Sequence, residues 1–541
     1  MPRANEEENP HARGVLLFLC VKIIFLLNKR ATLYVRIDPV GSVAIFFKFH
    51  LKSLSCHGKI YTYIFSLFYQ KEVTMPFSQF LDSRRALCKE LVAKLSQRFS
   101  YVGILGADVR SSRYYTNKML SDIGDGPISE CGFVIKLHNG RSFFEYSLDD
   151  ITEDVSALAE KIFSAVSVHP SLDSRQISVP TPKDEPLRKS FKRPCDFDDY
   201  SDEHILAFSK KLRDRILLAD DKIINATVAV MPYRVSKIFI SKNRELDQFY
   251  SWVNITTLAL YKDGEKMVMA REGSYSNLLS SAFNDIVEAV PILVDKARKL
   301  STAKPITPGV YDVITDPSIS GLIAHEAFGH GVEMDQFVKD RALAKQYVGK
   351  YVASPICNMR DGAASAFSAA SYFFDDDGVL AHDTQIIKDG VLVSGISDLV
   401  SATELGTEPT GNGRRQSYKR KAYSRMTNTF FCPGKDKLED MIASIKHGYM
   451  LFDTNNGMED PKNWQIQCTA EYGIEIIDGK LTDNYVSPVV MSGSVPELLK
   501  SISMVSDDFK IIGAGGCGKG YKEWVRVSDG GPALKVRVKL A

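Results

Sequence analysis

The chain has 541 residues, 44% of them hydrophobic and 25% charged, which is ordinary globular composition with room for several domains of roughly 150 residues. Its 68 basic and 66 acidic side chains leave a formal charge of +2, so no electrostatic attraction to nucleic acid is expected. The nine cysteines are scattered and none forms a CxxC pair, which reads as reduced thiols of a cytoplasmic protein.

The first 74 residues differ in texture from the rest. An apolar run at 15–27, broken by Lys22, falls short of the ~20 residues a spanning helix needs. Glu6, Glu7 and Glu8 give it an acidic flank unlike that of a signal peptide. Residues 1–74 are therefore expected to be an extension outside the folded unit, either spurious or a targeting segment. No membrane association is expected unless that extension is real.

From Met75 the pattern becomes globular. Ser78 is placed to cap a helix whose apolar positions are Phe80, Leu87, Leu91 and Leu95. A short strand at 101–105 and a hairpin at 132–146 turning on Asn139-Gly140 follow. Residues 170–203, rich in Pro, Ser and charge, read as a linker or long surface loop. Helices are predicted at 203–219 and 276–300, with strands at 224–231, 236–241, 249–260 and 266–271 between them. The stretch AKPITPG precedes a strand at 310–314, and a boundary is placed there, giving domains 75–302 and 303–541. The second half carries many short strands, with turns at Asp389-Gly390 and Asp478-Gly479. The fold class is α+β: a mixed α/β N-terminal domain and a strand-rich, antiparallel or barrel-like C-terminal domain.

The strongest chemical signal is GLIAHEAFGHGVEMD at 321–335. His325 and His330 bracket Glu326 in the pattern HExxxH, which offers two imidazole ligands for zinc and a carboxylate able to take a proton from water. In a regular helix, residues five apart are ~140° out of line at ~100° per residue, so both rings could not reach one ion. A widened turn with an i→i+5 bond would realign them, and Gly329 and Gly331 flank His330, so an irregular helix is predicted there. Two unrelated histidines on a surface helix remain the alternative. Near the C-terminus, Cys517 lies within FKIIGAGGCGKG, where a thiolate could supply a third ligand; a buried free cysteine in a turn is the other reading.

Several separated stretches resemble the TldD/PmbA family of metallopeptidases: SGLIAHEAFGHGVEMD, FDDDGVLAHDTQII, PTGNGRRQSY, RMTNTFFCPG, and GCGKG followed by DGGP. The resemblance covers roughly 75–541. It implies one zinc ion per subunit held by His325, His330 and Cys517, with Glu326 as general base in the hydrolysis of small or unfolded peptides. It also implies the active, TldD-type subunit, in a homodimer or in a heterodimer with a related subunit. An inactive peptide-binding subunit of the same fold is the alternative. Arg414, Arg415 and Tyr418 are tentative substrate-binding residues that could equally pin loops together. Glu333 and Asp335 are tentative acceptors for a ligand histidine. Asp375–Asp377, beside His382, are expected to form a solvated turn, and 456–461 a structural turn.

Overall fold

The computed structural model describes residues 31–37, 43–49, 77–167, 179–513, 515–521 and 523–541. The apolar run at 15–27 and part of the predicted linker lie outside the described residues. Two compact units are present, Met1–Val73 and Thr74–Ala541. In the first, Ala31–Ile37 and Val43–Phe49 pair antiparallel. The second contains every other element discussed here.

Its N-terminal half is built on an eight-stranded sheet. The central strands Tyr101–Thr116, Ile223–Ser241 and Arg244–Asp263 are long and antiparallel. Side chains alternate across the sheet, and the two faces have different partners. From Ile223–Ser241, Val228, Val230, Ile238 and Ile240 enter cores shared with helices, among them Gln79–Leu95, Val155–Ser167 and Asp202–Leu218. Val235, Lys237 and Phe239 face the other way, onto residues 363–381 of the C-terminal half.

Several sequence expectations hold in detail. Ser78 caps Gln79–Leu95, accepting from Leu81 N at 3.2 Å. Glu130–His138 and Phe143–Leu148 form the hairpin, with Gly140 at φ +93° in a four-residue loop. Others are corrected. The strand at 101–105 extends to Thr116. The two strands at 224–231 and 236–241 are one strand. Pro232 is tolerated inside it because pairing with Tyr101–Thr116 lapses between Ser111↔Tyr233 and Tyr114↔Val230. The predicted helix at 276–300 is two, Leu279–Glu288 and Val290–Thr302, divided where Pro291 opens the second. Within the predicted linker, Leu187–Lys192 is a strand parallel to Arg244–Phe249.

The C-terminal half is strand-rich and contains a closed barrel. Gly309–Thr315 pairs with His447–Asp460 on one side and Leu534–Leu540 on the other. Gln465–Ile477 and Val489–Ser494 complete the ring. A six-stranded sheet lies beside it, including Met359–Asp361, Asn428–Phe431 and Ser528–Gly531. A helical segment starting at Pro317 runs between the two, touching Ser528–Gly531 on one side and His447–Asp460 on the other.

The acidic run Asp375–Asp377 is not a solvated turn: all three residues are buried. Asp377 pairs with Lys136 and Asp376 with Lys237, both from the N-terminal sheet, while backbone N–H groups of Asp377, Val379 and Gly413 donate to Asp375. Burial with compensating cations explains what composition alone misread. Removing one partner leaves a buried charge uncompensated. Asp376→Ala is expected to lower the unfolding free energy by about 3–5 kcal/mol. Asp376→Leu combined with Lys237→Met should recover most of that loss in denaturant titration.

Candidate metal centre

The helix that carries HExxxH begins at Pro317 and is fixed to the barrel at its first turn. Asp316 accepts from Ile319 N at 2.7 Å as its cap, and its other oxygen accepts from Asp453 N at 3.2 Å. Ser318 Oγ accepts from Thr454 N at 3.1 Å. Regular α-helix lasts only to Leu322; Ile323–Gly329 is a π-helix, followed by a 3-10 turn at His330–Val332. The His330 N–H donates to the His325 carbonyl, the i→i+5 bond that the spacing demands. Gly329 allows this packing: a Cβ there would lie 2.1 Å from Met426 Sδ and 3.0 Å from the Ala324 carbonyl.

The widened turn brings the His325 and His330 rings to a centroid separation of 5.1 Å, perpendicular to each other. Cys517 arrives on the hairpin Gly516–Lys519/Glu523–Arg526, with Sγ 3.5 Å from His330 Nε2. One ligand atom from each of the three residues lies within 4.8 Å of the others. For Zn–N of ~2.05 Å and Zn–S of ~2.3 Å, tetrahedral ligands lie about 3.4–3.6 Å apart; Cys517 Sγ and His330 Nε2 already stand at 3.5 Å, and the other pairs lie within 4.8 Å. His325 Nδ1 is enclosed and has no hydrogen-bond partner, which leaves a ring nitrogen with an unmet need.

The electrostatics favour a thiolate at Cys517. Burial alone would raise the Cys517 thiol, but His330 and His325 outweigh it and hold the group well below its usual value. Burial would lower both imidazoles; the Cys517 thiolate reverses this, lifting His325 to about 9 and His330 well above its usual value. Glu333 Oε2 lies 3.2 Å from His330 Nδ1, so it orients that ring. Burial opposes ionisation of Glu333, but Lys519 and His330 hold it low. Asp335 does not touch a ligand histidine; it pairs with Lys519 at 2.6 Å and Lys339 at 3.3 Å.

Glu326 is half-buried and packs against the barrel strand at Gly457, where a Cβ would fall 2.5 Å from Glu326 Cγ. That strand, His447–Asp460, replaces the turn expected at 456–461. Two residues on from Gly457, Glu459 reaches the ligand helix: its Oε1 would lie 2.8 Å from a Cβ at Gly331. Its carboxylate is enclosed against the Gly331 backbone, and burial raises its pKa well above the usual value. Asp529, in the DGGP stretch, is raised to about 6 by burial, against the pull of His325. Neither acid had a spacing signal in the sequence.

The tentative substrate-binding residues lie in other contacts. Arg415 pairs with Glu145 at 3.1 Å and donates to the Arg420 carbonyl at 2.8 Å. Arg414 donates to the Met426 carbonyl at 2.6 Å, and the Tyr418 hydroxyl donates to Asp149. These side chains tie loops together and join the C-terminal half to the strand Phe143–Leu148 and the residues after it.

The raised imidazoles carry a pH consequence for metal-free protein. Folding stabilises their protonated forms, so that contribution is complete below pH 6.5 and is lost as pH rises through about 9 for His325. The depressed thiol acts oppositely, being lost only as pH falls through its own low value. Two histidines against one thiol give a net loss from pH 6.5 upward. Chelator-treated protein is expected to melt at lower temperature at pH 9 than at pH 6.5. In Cys517→Ala, which removes the thiolate, that difference should shrink.

Comparison with known proteins follows the same lines. Residues 308–540 match the PmbA/TldA metallopeptidase C-terminal domain. A metalloprotease of Methanothermobacter thermautotrophicus is 28% identical over 444 residues, 80% of this chain and 94% of its own length. A zinc metalloprotease TldD homolog of Saccharolobus solfataricus is 31% identical over 282 residues, 50% of this chain but only 62% of its own. Among solved structures, a Thermotoga maritima protein described as a modulator of a DNA gyrase superposes with a TM-score of 0.68 at 18% identity, over 84% of this chain and 99% of that one. TldE from Thermococcus kodakarensis gives 0.66 at 19% identity, over 84% and 100%. At those identities the two structures speak to the fold. The domain match, the relatives and the shared fold together support a member of the TldD/PmbA family.

Proposed function

We propose that this protein is a zinc-dependent peptidase, the active TldD-type member of its family, that hydrolyses peptide bonds of small or unfolded peptides. The observation that carries this reading is the convergence of His325, His330 and Cys517, with a thiol held low by two imidazoles, beside Glu326. One zinc ion per subunit, held by those three residues, would supply a Lewis acid that polarises the scissile carbonyl and acidifies water. Glu326 takes the proton of the attacking water and returns it to the leaving amine. Glu333 keeps the His330 ring oriented through Nδ1.

Substrate binding has a candidate surface. Gly309–Thr315 pairs with His447–Asp460 only at Gly448–Leu451. Beyond the contacts of Asp453 and Thr454 with the histidine-bearing helix, residues 456–459 are paired by the strand Gln465–Ile477 on one side only, among the described residues. An extended peptide could add there as a strand, next to Glu326, reading backbone more than side chains. Residues 303–541 would then be the catalytic domain and 75–302 its N-terminal partner. Assembly as a homodimer or with a related subunit belongs to the same reading. No helix among the described residues is long and apolar enough to cross a membrane. Free thiols at the described cysteines accord with a cytoplasmic location.

The test is metal content measured together with cleavage of an unstructured peptide. Glu326→Gln should keep stoichiometric zinc and lose at least about 10²-fold in kcat. Cys517→Ala should lose the metal. Full activity in Glu326→Gln would remove Glu326 as the base. Wild-type protein that holds zinc but cleaves nothing would point instead to a non-catalytic peptide-binding subunit.

A further inference from the structure

Two buried cations beside the centre take no part in that chemistry. Arg425 is fully buried and is the largest such side chain among the described residues. Its Nη2 donates to the Cys517 carbonyl at 2.6 Å and its Nη1 to the Glu523 carbonyl at 3.0 Å, so it grips both strands of the Cys517 hairpin. Its Nε faces Glu333 Oε1 at 3.9 Å, and neither atom has another partner. Lys519 uses all three donors: Glu333 Oε2 at 2.9 Å, Asp335 Oδ1 at 2.6 Å and the Ser424 carbonyl at 3.0 Å. Glu333 in turn holds His330 Nδ1 at 3.2 Å.

The contacts join two segments far apart in sequence, the turn bearing His330 and the hairpin bearing Cys517. Alternation along Gly516–Lys519 puts Cys517 and Lys519 on the buried face. Gly516 and Gly518 lie on the other, against Trp524. A slip of one residue would carry the thiol away from the histidines and present a glycine instead. Buried ion pairs stabilise little compared with apolar packing, but they can fix a register. Here Arg425 and Lys519 face Glu333, and Lys519 and Lys339 face Asp335.

We propose that Lys519 and Arg425 are positioning residues for the metal centre: they lock the hairpin register that aims Cys517 at His330, and they hold Glu333 on the His330 ring. The proposal rests on the metal-centre reading above. Its test is zinc affinity by chelator competition on the full chain, with thermal unfolding of the metal-free form alongside. Lys519→Gln should weaken zinc about 10–100-fold while unfolding stays cooperative. Glu333→Gln should do the same, and the double variant should lose less than the two single losses combined, because the two residues share a contact. Lys519→Arg should recover part of the loss. Should Lys519→Gln fail to fold, the double variant, which leaves neither of these charges unpaired, carries the same measurement. Wild-type zinc affinity in Lys519→Gln, or in the double variant, overturns the proposal and leaves the metal centre intact. Wild-type protein without zinc affinity overturns both.

Discussion

A single hydrogen bond, from the His330 N–H to the His325 carbonyl, sets the geometry on which the rest depends. Five residues separate the two histidines, and a regular helix would point them apart. The i→i+5 bond widens the turn, and the surroundings are shaped to allow it. Gly329 gives room to Met426, and Gly457 gives room to Glu326 from the barrel side. The helix is pinned at its start by Asp316 and Ser318 to His447–Asp460, so the irregular turn follows a first turn fixed to the barrel.

The thiol completes the electrostatics. Cys517 is 3% exposed, where an unpaired thiolate would be costly. Two imidazoles make it favourable and are raised in turn, so the three residues form a charged, preorganised cluster. That cluster sits at the meeting of three elements: a helix between barrel and sheet, a strand of the barrel, and a C-terminal hairpin. Fold and centre are therefore inseparable, since the barrel closes through strands at both ends of the C-terminal half, Gly309–Thr315 and Leu534–Leu540.

What the sequence made legible was local. The HExxxH spacing announced a widened turn, Ser78 announced a cap, and Asp389-Gly390 and Asp478-Gly479 marked turns that take positive φ. What it hid depends on distant partners. The barrel-like character of the C-terminal domain was anticipated, but not the pairing that closes it, which joins strands more than two hundred residues apart. The run Asp375–Asp377 looked like solvent-facing charge because Lys136 and Lys237 come from remote strands. Arg415 and Tyr418 could be read either as substrate-binding or as pinning loops because Glu145 and Asp149, which engage them, lie in the other half of the chain. Glu459 and Asp529 reach the centre only through the packing of strands against the helix, which no spacing reports.

Zinc-edge X-ray absorption on the purified protein reads the ligand set itself. One zinc is expected, with two nitrogen scatterers near ~2.0–2.1 Å, one sulfur near ~2.3 Å and a light atom in the remaining position. A shell without sulfur, or protein that holds no zinc, would contradict it.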